Sequence, residues 1–129
     1  MNHSECVQIK KFKCIAEDER GLTNEFSLPR LQKDFIYITR KKNSMSGNNY
    51  HTGKNLATNP KIFILLSGEI DFSYRPVATN HKHTITISAL ALIEIKPNTI
   101  HAVKALTDII IIECNSIADI EQDNFKEAV

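Results

Sequence analysis

Short segments with strand periodicity, separated by turn-forming residues at intervals of roughly 8–12 positions, are the feature that most restricts the fold. Residues 70–74, 83–88 and 92–96 alternate apolar and polar side chains, as expected for strands with one buried face. Residues 108–114 form a nearly continuous apolar run, which is typical of a fully buried strand. About eight to ten such strands predict an all-β sandwich or small barrel, and periodicity alone does not separate the two.

Helical spacing is confined to the C-terminal part of the sequence. Ile117, Ile120 and Phe125 fall near one helical face, and Ser116 is suited to cap the first turn. We therefore expect a strand core over residues 7–114 and a short helix over residues 116–128. A chain of 129 residues lies in the usual single-domain range, so we expect residues 1–129 to form one domain.

The charge balance restricts the classes of partner. The sequence has 16 basic and 15 acidic residues and a formal net charge of +1 at pH 7. This balance gives no electrostatic reason to expect a nucleic-acid or membrane partner. The N-terminal residues lack the apolar core of a signal peptide, and no segment has the roughly 18 consecutive apolar residues of a membrane span. We therefore expect a cytoplasmic protein without a nucleic-acid or membrane partner.

Two histidines follow turns at the edges of strand-like segments. His51 follows the turn at Gly47, and His101 follows the turn at Pro97. Because alternate residues of a strand share a face, Asn49 points the same way as His51. If these faces look into one barrel, both histidines, Asn49 and Lys61 meet in its mouth, where small barrels hold a ligand.

Several motifs resemble those of a known family. Residues 47–51 (GNNYH), 63–69 (FILLSGE) and 97–101 (PNTIH) resemble the two conserved motifs of the cupin superfamily. Residues 18–22 (DERGL) and 123–127 (DNFKE) are similar to elements of its sugar-nucleotide members, so the resemblance covers roughly residues 15–128. Those members are the C-terminal cupin domain of capsular UDP-sugar epimerase–reductases and the dTDP-4-keto-6-deoxyhexose 3,5-epimerases and 3,4-ketoisomerases.

The resemblance implies a fold, a substrate class and an assembly. The fold is an all-β double-stranded β-helix, or jelly roll, with a short C-terminal helix. The substrate is a nucleotide-linked 4-keto-6-deoxy sugar of surface-polysaccharide synthesis, and the assembly is a homodimer. The reaction is epimerisation or ketoisomerisation, which begins when a proton next to the ketone is removed.

The sequence departs from the family at its metal-binding positions. The first histidine of the family's pair is replaced by Asn49, and the position of its acidic ligand falls at Lys61. A protonated lysine has no lone pair and repels a divalent ion. His51 and His101 with one amide make a poor site, since zinc or iron usually needs three protein ligands. These residues disfavour a divalent metal at His51 and His101, and we expect no cofactor.

In a metal-free site, the chemistry of each side chain suggests its role in the reaction. His51 is the candidate base, because a neutral imidazole with a pKa near the working pH suits proton abstraction. Lys61 or Arg40 is the candidate partner of the developing oxyanion. The resemblance implies that Tyr37 delivers a proton from the opposite face of the sugar. The remaining expectation is a set of substrate-binding residues: Arg20, Arg40, Asn49, Tyr74 and His101.

Three functions remain open at this point. The first is a sugar-nucleotide epimerase or ketoisomerase. The second is a degenerate cupin that binds a small ligand or sugar without turnover, a reading that the replacements at Asn49 and Lys61 motivate. The third is a metal-dependent cupin enzyme.

Overall fold

The computed structural model describes residues 6–129, which are built almost entirely of strands. Within these residues there are twelve strands, one 3-10 turn at Leu56–Thr58 and one short α-helix, α1, at Ile117–Glu121. The strands are β1 (Val7–Lys11), β2 (Lys13–Asp18), β3 (Gly21–Glu25), β4 (Ile36–Arg40), β5 (Met45–Tyr50), β6 (Lys61–Ser67), β7 (Glu69–Pro76), β8 (His83–Ser88), β9 (Ala91–Ile95), β10 (Thr99–Ala105), β11 (Ile109–Glu113) and β12 (Phe125–Lys126).

Two five-stranded antiparallel sheets form the body of the protein. The first has the strand order β1-β9-β6-β11-β4, and the second has the order β12-β5-β10-β7-β8. Apart from β7 and β8, the paired strands of these two sheets are not consecutive in the chain. The chain crosses repeatedly from one sheet to the other, as in a jelly roll. The predicted double-stranded β-helix is therefore confirmed.

The main core lies between the inner faces of the two sheets. Phe63 and Leu65 of β6 pack in it with Phe72 and Tyr74 of β7, and all four side chains are buried. The alternate residues Ile62 and Ile64 of β6 belong to a smaller cluster on the outer face of the same sheet. Burial of both faces explains why the sequence of β6 is continuously apolar rather than alternating.

The N-terminal strand predicted over residues 7–15 is divided in two. Phe12 separates β1 from β2, and its ring stacks on Phe26 with 4.3 Å between the ring centroids. β2 pairs only with β3 in the described residues, and this hairpin forms a separate two-stranded sheet.

The C-terminal helix is confirmed, but it is shorter than predicted. Ser116 and Asp119 form a reciprocal capping box at its first turn, as the sequence indicated for Ser116. The helix ends at Glu121 because the following residues enter the second sheet, where β12 pairs with β5. Phe125 stacks on Tyr50 there, with 5.3 Å between the ring centroids. No helix in residues 6–129 is long and apolar enough to cross a membrane.

Candidate functional site

A cavity of about 160 Å³ lies between the two sheets. Its polar lining includes Arg40, Asn49, His51, Lys61, His101 and Glu113. Its apolar lining comes from both sheets and consists of Ile38, Phe63, Val103, Ile109 and Ile111. Ile120 of α1 and Lys126 of β12 also line the cavity, so the C-terminal segment covers part of it. The volume is below the roughly 300–1,000 Å³ of pockets that enclose a drug-sized ligand, so it suits one ring of a larger molecule.

His51 directly follows β5 and is buried, with 3% of its surface exposed. Its Nδ1 lies 2.7 Å from the main-chain oxygen of Asp123. Because a carbonyl oxygen only accepts hydrogen bonds, Nδ1 carries the hydrogen and Nε2 keeps its lone pair in the neutral ring. Burial is the main cause that lowers the pKa of His51, and the nearby charge of Lys61 contributes. His51 is therefore a neutral imidazole with an unprotonated Nε2.

His101 lies on β10, opposite Asn49 of β5. The two strands approach closely because Gly47 has a φ of +99°, and a Cβ there would lie 2.8 Å from the main-chain oxygen of His101. The ring Nδ1 donates to the main-chain oxygen of Thr99 at 3.1 Å, and burial lowers the pKa of His101 to about 3. The ring centroids of His51 and His101 are 5.6 Å apart. The predicted meeting of the two histidines in one cavity is confirmed.

Lys61 begins β6 and points into the cavity, with 3% of its side chain exposed. Its Nζ lies 3.2 Å from Oε2 of Glu113 and donates to Oδ1 of Asn115. Burial lowers the pKa of Lys61, while the carboxylate of Glu113 acts in the opposite direction. The ammonium also lies 5.1 Å from the ring centroid of Phe63. The cavity therefore contains a buried ion pair beside two neutral histidines.

Arg40 and Asn49 also reach the cavity, as predicted. Arg40 donates from Nε to Oγ of Ser46 at 3.1 Å, which holds β4 and β5 together across the cavity. Asn49 donates from Nδ2 to Oδ1 of Asn124 at 2.6 Å. The buried Oδ1 of Asn49 and Nε2 of His51 both lack a hydrogen-bond partner within residues 6–129. Two orphaned acceptors favour a ligand that carries hydrogen-bond donors.

Three predicted site residues lie outside this cavity. Tyr37 is 63% exposed, because Ile38 and Arg40 of the same strand face inward and alternate residues face outward. The expectation that Tyr37 delivers a proton into the site is wrong for this chain. Arg20 lies in the exposed turn between β2 and β3 and pairs with Asp18 at 2.8 Å. Tyr74 is fully buried in the core and stacks on His83, so it does not line the cavity.

The sequence reasoning missed two acidic residues of the site. Glu113 shares the inward face of β11 with Ile109 and Ile111. A carboxylate on a buried face indicates a nearby cation, because an unpaired buried charge is costly. That signal was present in the sequence. Asp123 gave no local signal, because its contacts with His51 and Thr52 join residues about 70 positions apart.

The residues of the cavity do not fit a metal ion. Residues 6–129 contain no group of three or more histidine, cysteine, aspartate or glutamate side chains placed to hold one. The carboxylate of Glu113 is engaged by Lys61, and a protonated lysine offers no lone pair. The two imidazoles alone fall short of the three protein ligands that catalytic zinc and iron sites use.

Comparisons with known proteins find structural relatives only. No protein-family model matches this sequence, and no curated protein matches it. A histidine-to-asparagine mutant of the 3,4-ketoisomerase QdtA from Thermoanaerobacterium thermosaccharolyticum, in complex with TDP-4-keto-6-deoxyglucose, is 20% identical with a TM-score of 0.71. That match covers 94% of this chain and 87% of QdtA.

Two further structures have the same fold. The dTDP-6-deoxy-D-glucose-3,5-epimerase RmlC from Legionella pneumophila is 14% identical with a TM-score of 0.67, over 93% of this chain and 71% of RmlC. The capsular polysaccharide assembling protein CapF from Staphylococcus aureus is 20% identical with a TM-score of 0.63. That match covers 92% of this chain but 34% of CapF. The expected likeness to sugar-nucleotide cupins is thus confirmed at the level of the fold.

Proposed function

We propose that this protein is an isomerase of a nucleotide-linked 4-keto-6-deoxy sugar and that it acts by removing a proton next to the ketone. The observation that carries the proposal is Nε2 of His51, a buried atom without a hydrogen-bond partner in the described residues, in a side chain that lines the same cavity as Lys61. A buried base beside a fixed cation suits enolate formation. The ligands bound to structures of the same fold support the choice of substrate.

Lys61 supplies the charge that stabilises the enolate. Glu113 and Asn115 engage two of its three N–H donors among the contacts found within residues 6–129, which leaves the third for a ligand oxygen. The guanidinium of Arg40, at the same cavity, is the second candidate. Preorganised charge of this kind is worth about 3–4 kcal/mol of barrier in a site that excludes water.

The reaction that best fits the cavity is 3,4-ketoisomerisation. His51 removes the proton from carbon 3, and the charge moves to the oxygen on carbon 4. Protonation of that oxygen, loss of the hydroxyl proton on carbon 3 and return of a proton to carbon 4 then shift the ketone by one carbon. A base on one face of the ring can serve all carbon protons in this sequence, whereas epimerisation needs an acid on the opposite face. Tyr37, the residue expected there, points outward.

The cellular setting and assembly follow as parts of the proposal. We expect a metal-free enzyme of the cytoplasm that serves surface-polysaccharide synthesis. We also expect a homodimer, because Ile15 and Leu22 of the β2–β3 hairpin are 53% and 55% exposed. An isolated two-stranded hairpin is marginal in water, so a second copy that covers it would stabilise it. Sedimentation velocity would then give the mass of two chains.

Proton exchange on the sugar tests the proposal directly. The purified protein is incubated in heavy water with TDP- and UDP-4-keto-6-deoxyhexoses, and deuterium entry at each sugar carbon is followed by NMR. With the wild-type protein we expect deuterium at carbon 4 of the isomerised sugar and, through reversal of the first step, at carbon 3 of the remaining substrate. His51→Ala should lower both rates by at least about 10²-fold. Tyr37→Phe is the matched control, and its exchange rate should equal that of the wild type.

The alternatives give different results in the same experiment. Binding of a nucleotide sugar without exchange at any carbon would contradict catalysis and favour a sugar-binding protein without turnover. Exchange that survives in His51→Ala would remove His51 as the base. Loss of exchange in Tyr37→Phe would contradict the placement of Tyr37 outside the working site. Exchange that depends on added divalent metal would favour the metal-dependent alternative.

A further inference from the structure

The most heavily hydrogen-bonded side chain near the cavity is Asp123, between α1 and β12. Its carboxylate is buried, and Oδ1 accepts from the main-chain N and from Oγ1 of Thr52, at 2.8 and 2.7 Å. Oδ2 accepts from the main-chain N of Gly53 at 2.9 Å, from that of Lys54 at 2.8 Å, and from Oγ1 of Thr58 at 2.8 Å. Five donors from one short loop therefore converge on a single carboxylate.

Four of these donors belong to residues 52–54, which directly follow His51, and the fifth belongs to Thr58. The loop of residues 52–54 is held by the side chain of Asp123, while the main-chain oxygen of Asp123 holds the ring of His51 at 2.7 Å. The main-chain oxygen of His51 accepts from the N–H of Asn98 at 2.7 Å. His51 is thus fixed at its ring, at its own carbonyl and through the chain that follows it.

The carboxylate of Asp123 stays ionised in this environment. Burial alone would raise the pKa of Asp123, but the hydrogen bonds from Thr52, Lys54 and Thr58 outweigh burial and lower it. The carboxylate of Asp123, which we call the anchor, is therefore charged throughout the neutral pH range. Each charge-assisted hydrogen bond to it is stronger than a neutral one. A neutral side chain at this position could not accept from all five donors.

The anchor determines which nitrogen of His51 can act as a base. The main-chain oxygen of Asp123 can only accept, so it selects the tautomer with hydrogen on Nδ1. If this oxygen moved away, either nitrogen could carry the hydrogen and the ring could rotate. The position of the oxygen depends on the carboxylate of the same residue, because that carboxylate is what ties the C-terminal segment to the loop after His51.

We propose that Asp123 is a positioning residue, whose carboxylate locks the C-terminal segment onto the loop after His51 and thereby holds His51 in the tautomer with Nε2 unprotonated. The proposal rests on the proposed function in that His51 is the base. It assigns the C-terminal turn a role in the chemistry, although Asp123 is not one of the residues that line the cavity. The turn does this through the orientation of one imidazole.

The test measures the tautomer and the reaction separately. ¹⁵N chemical shifts of the His51 ring are recorded by NMR in the wild type, Asp123→Asn and Asp119→Asn, without substrate. Asp119→Asn is the matched control, because its carboxylate caps the neighbouring helix and bonds the N–H of Ser116 instead of the loop. We expect Nδ1–H in the wild type and in Asp119→Asn, and mixed tautomers in Asp123→Asn.

The deuterium exchange rate at carbon 3 is then compared across the same proteins. We expect a loss on the order of 10²–10⁴-fold in kcat for Asp123→Asn, with a much smaller change in KM, as when a base is held in the wrong tautomer. Asp119→Asn should change kcat less than about 3-fold. Unchanged tautomers in a folded Asp123→Asn protein would overturn the proposal, whether or not kcat falls.

A gentler variant keeps the test decisive if Asp123→Asn does not fold. Thr58→Val removes one of the five donors and preserves the shape of the side chain. It should give a smaller shift in the same tautomer signals, and an unchanged spectrum would count against the anchor. If the wild type exchanges no sugar proton, the proposed function fails, whereas the tautomer spectra still decide whether Asp123 orients His51.

Discussion

Removing Glu113 should destabilise the fold more than removing its partner Lys61, because the two charges are buried to different degrees. The side chain of Lys61 is 3% exposed and that of Glu113 is 20% exposed. In Glu113→Leu the ammonium stays in the cavity with the amide oxygen of Asn115 and the ring of Phe63, but no carboxylate, to offset its charge. We expect a loss of about 3–5 kcal/mol, the usual effect of leaving one charge of a buried pair alone. Lys61→Met should lose about 1–3 kcal/mol, since the remaining carboxylate reaches solvent.

The double variant separates the pair from its surroundings. Lys61→Met with Glu113→Leu removes both charges and should lie within about 1 kcal/mol of the wild type, because the desolvation of both ions is also removed. Urea unfolding at pH 7, followed by circular dichroism, gives the free energy of unfolding for all four proteins and hence the coupling energy.

The pH dependence of Glu113→Leu adds a second check. An unpaired Lys61 in the folded protein releases its proton below the ordinary pKa near 10.5, whereas the unfolded chain keeps it. Stability of this variant should therefore rise as pH increases from 7 towards 10, relative to the wild type. Additive losses in the two single variants, or a loss below about 1 kcal/mol in Glu113→Leu, would refute the idea of a coupled buried pair.

Two further predictions concern the strand that carries His101. Burial lowers the pKa of His101 from 6.5 to about 3, so the unfolded chain binds this proton first. Stability should therefore fall by about 3 kcal/mol as pH drops from 6.5 to 4. In His101→Gln the urea midpoint should change less with pH across that range. An equal pH dependence in both proteins would show that His101 is not its cause. Gly47→Ala should destabilise by about 1–3 kcal/mol through backbone strain and contact with the main chain of His101. Gly21→Ala, also at positive φ but with open space around its Cβ, should lose less, and equal urea midpoints would exclude the contact.

The placement of His51 and His101 beside turns at strand edges could be predicted because it depends on local rules. Each histidine adjoins a turn at a strand edge, and the period of two relates Asn49 to His51 wherever the strand lies. The outward position of Tyr37 could not be predicted in the same way. β4 carries large side chains on both faces, so its periodicity does not say which face meets the core.

The C-terminal segment shows a second limit of sequence reasoning. Ile117 and Ile120 lie on the predicted helix, and the capping box at Ser116 formed as the residues indicated, but Phe125 lies in β12. A helix of so few turns has little stability of its own, so the strand pairing of Phe125 with Tyr50 decided where it ends. Pairing partners 75 residues apart leave no pattern in either segment alone.

The sequence by itself determined the strand fold, the balanced charge and the two histidines, because strand period, turn residues and charge are properties of neighbouring residues. Only the tertiary structure decided the ionic and hydrogen-bonding state of the site. Lys61 could be read as a solvent-exposed strand end until β11 brought Glu113 to 3.2 Å from its ammonium. Which nitrogen of His51 lacks a hydrogen was likewise undetermined. The main-chain oxygen of Asp123 binds Nδ1 and so leaves Nε2 unprotonated. Protonation and tautomer depend on distances across the fold, and those distances exist only after the chain has folded.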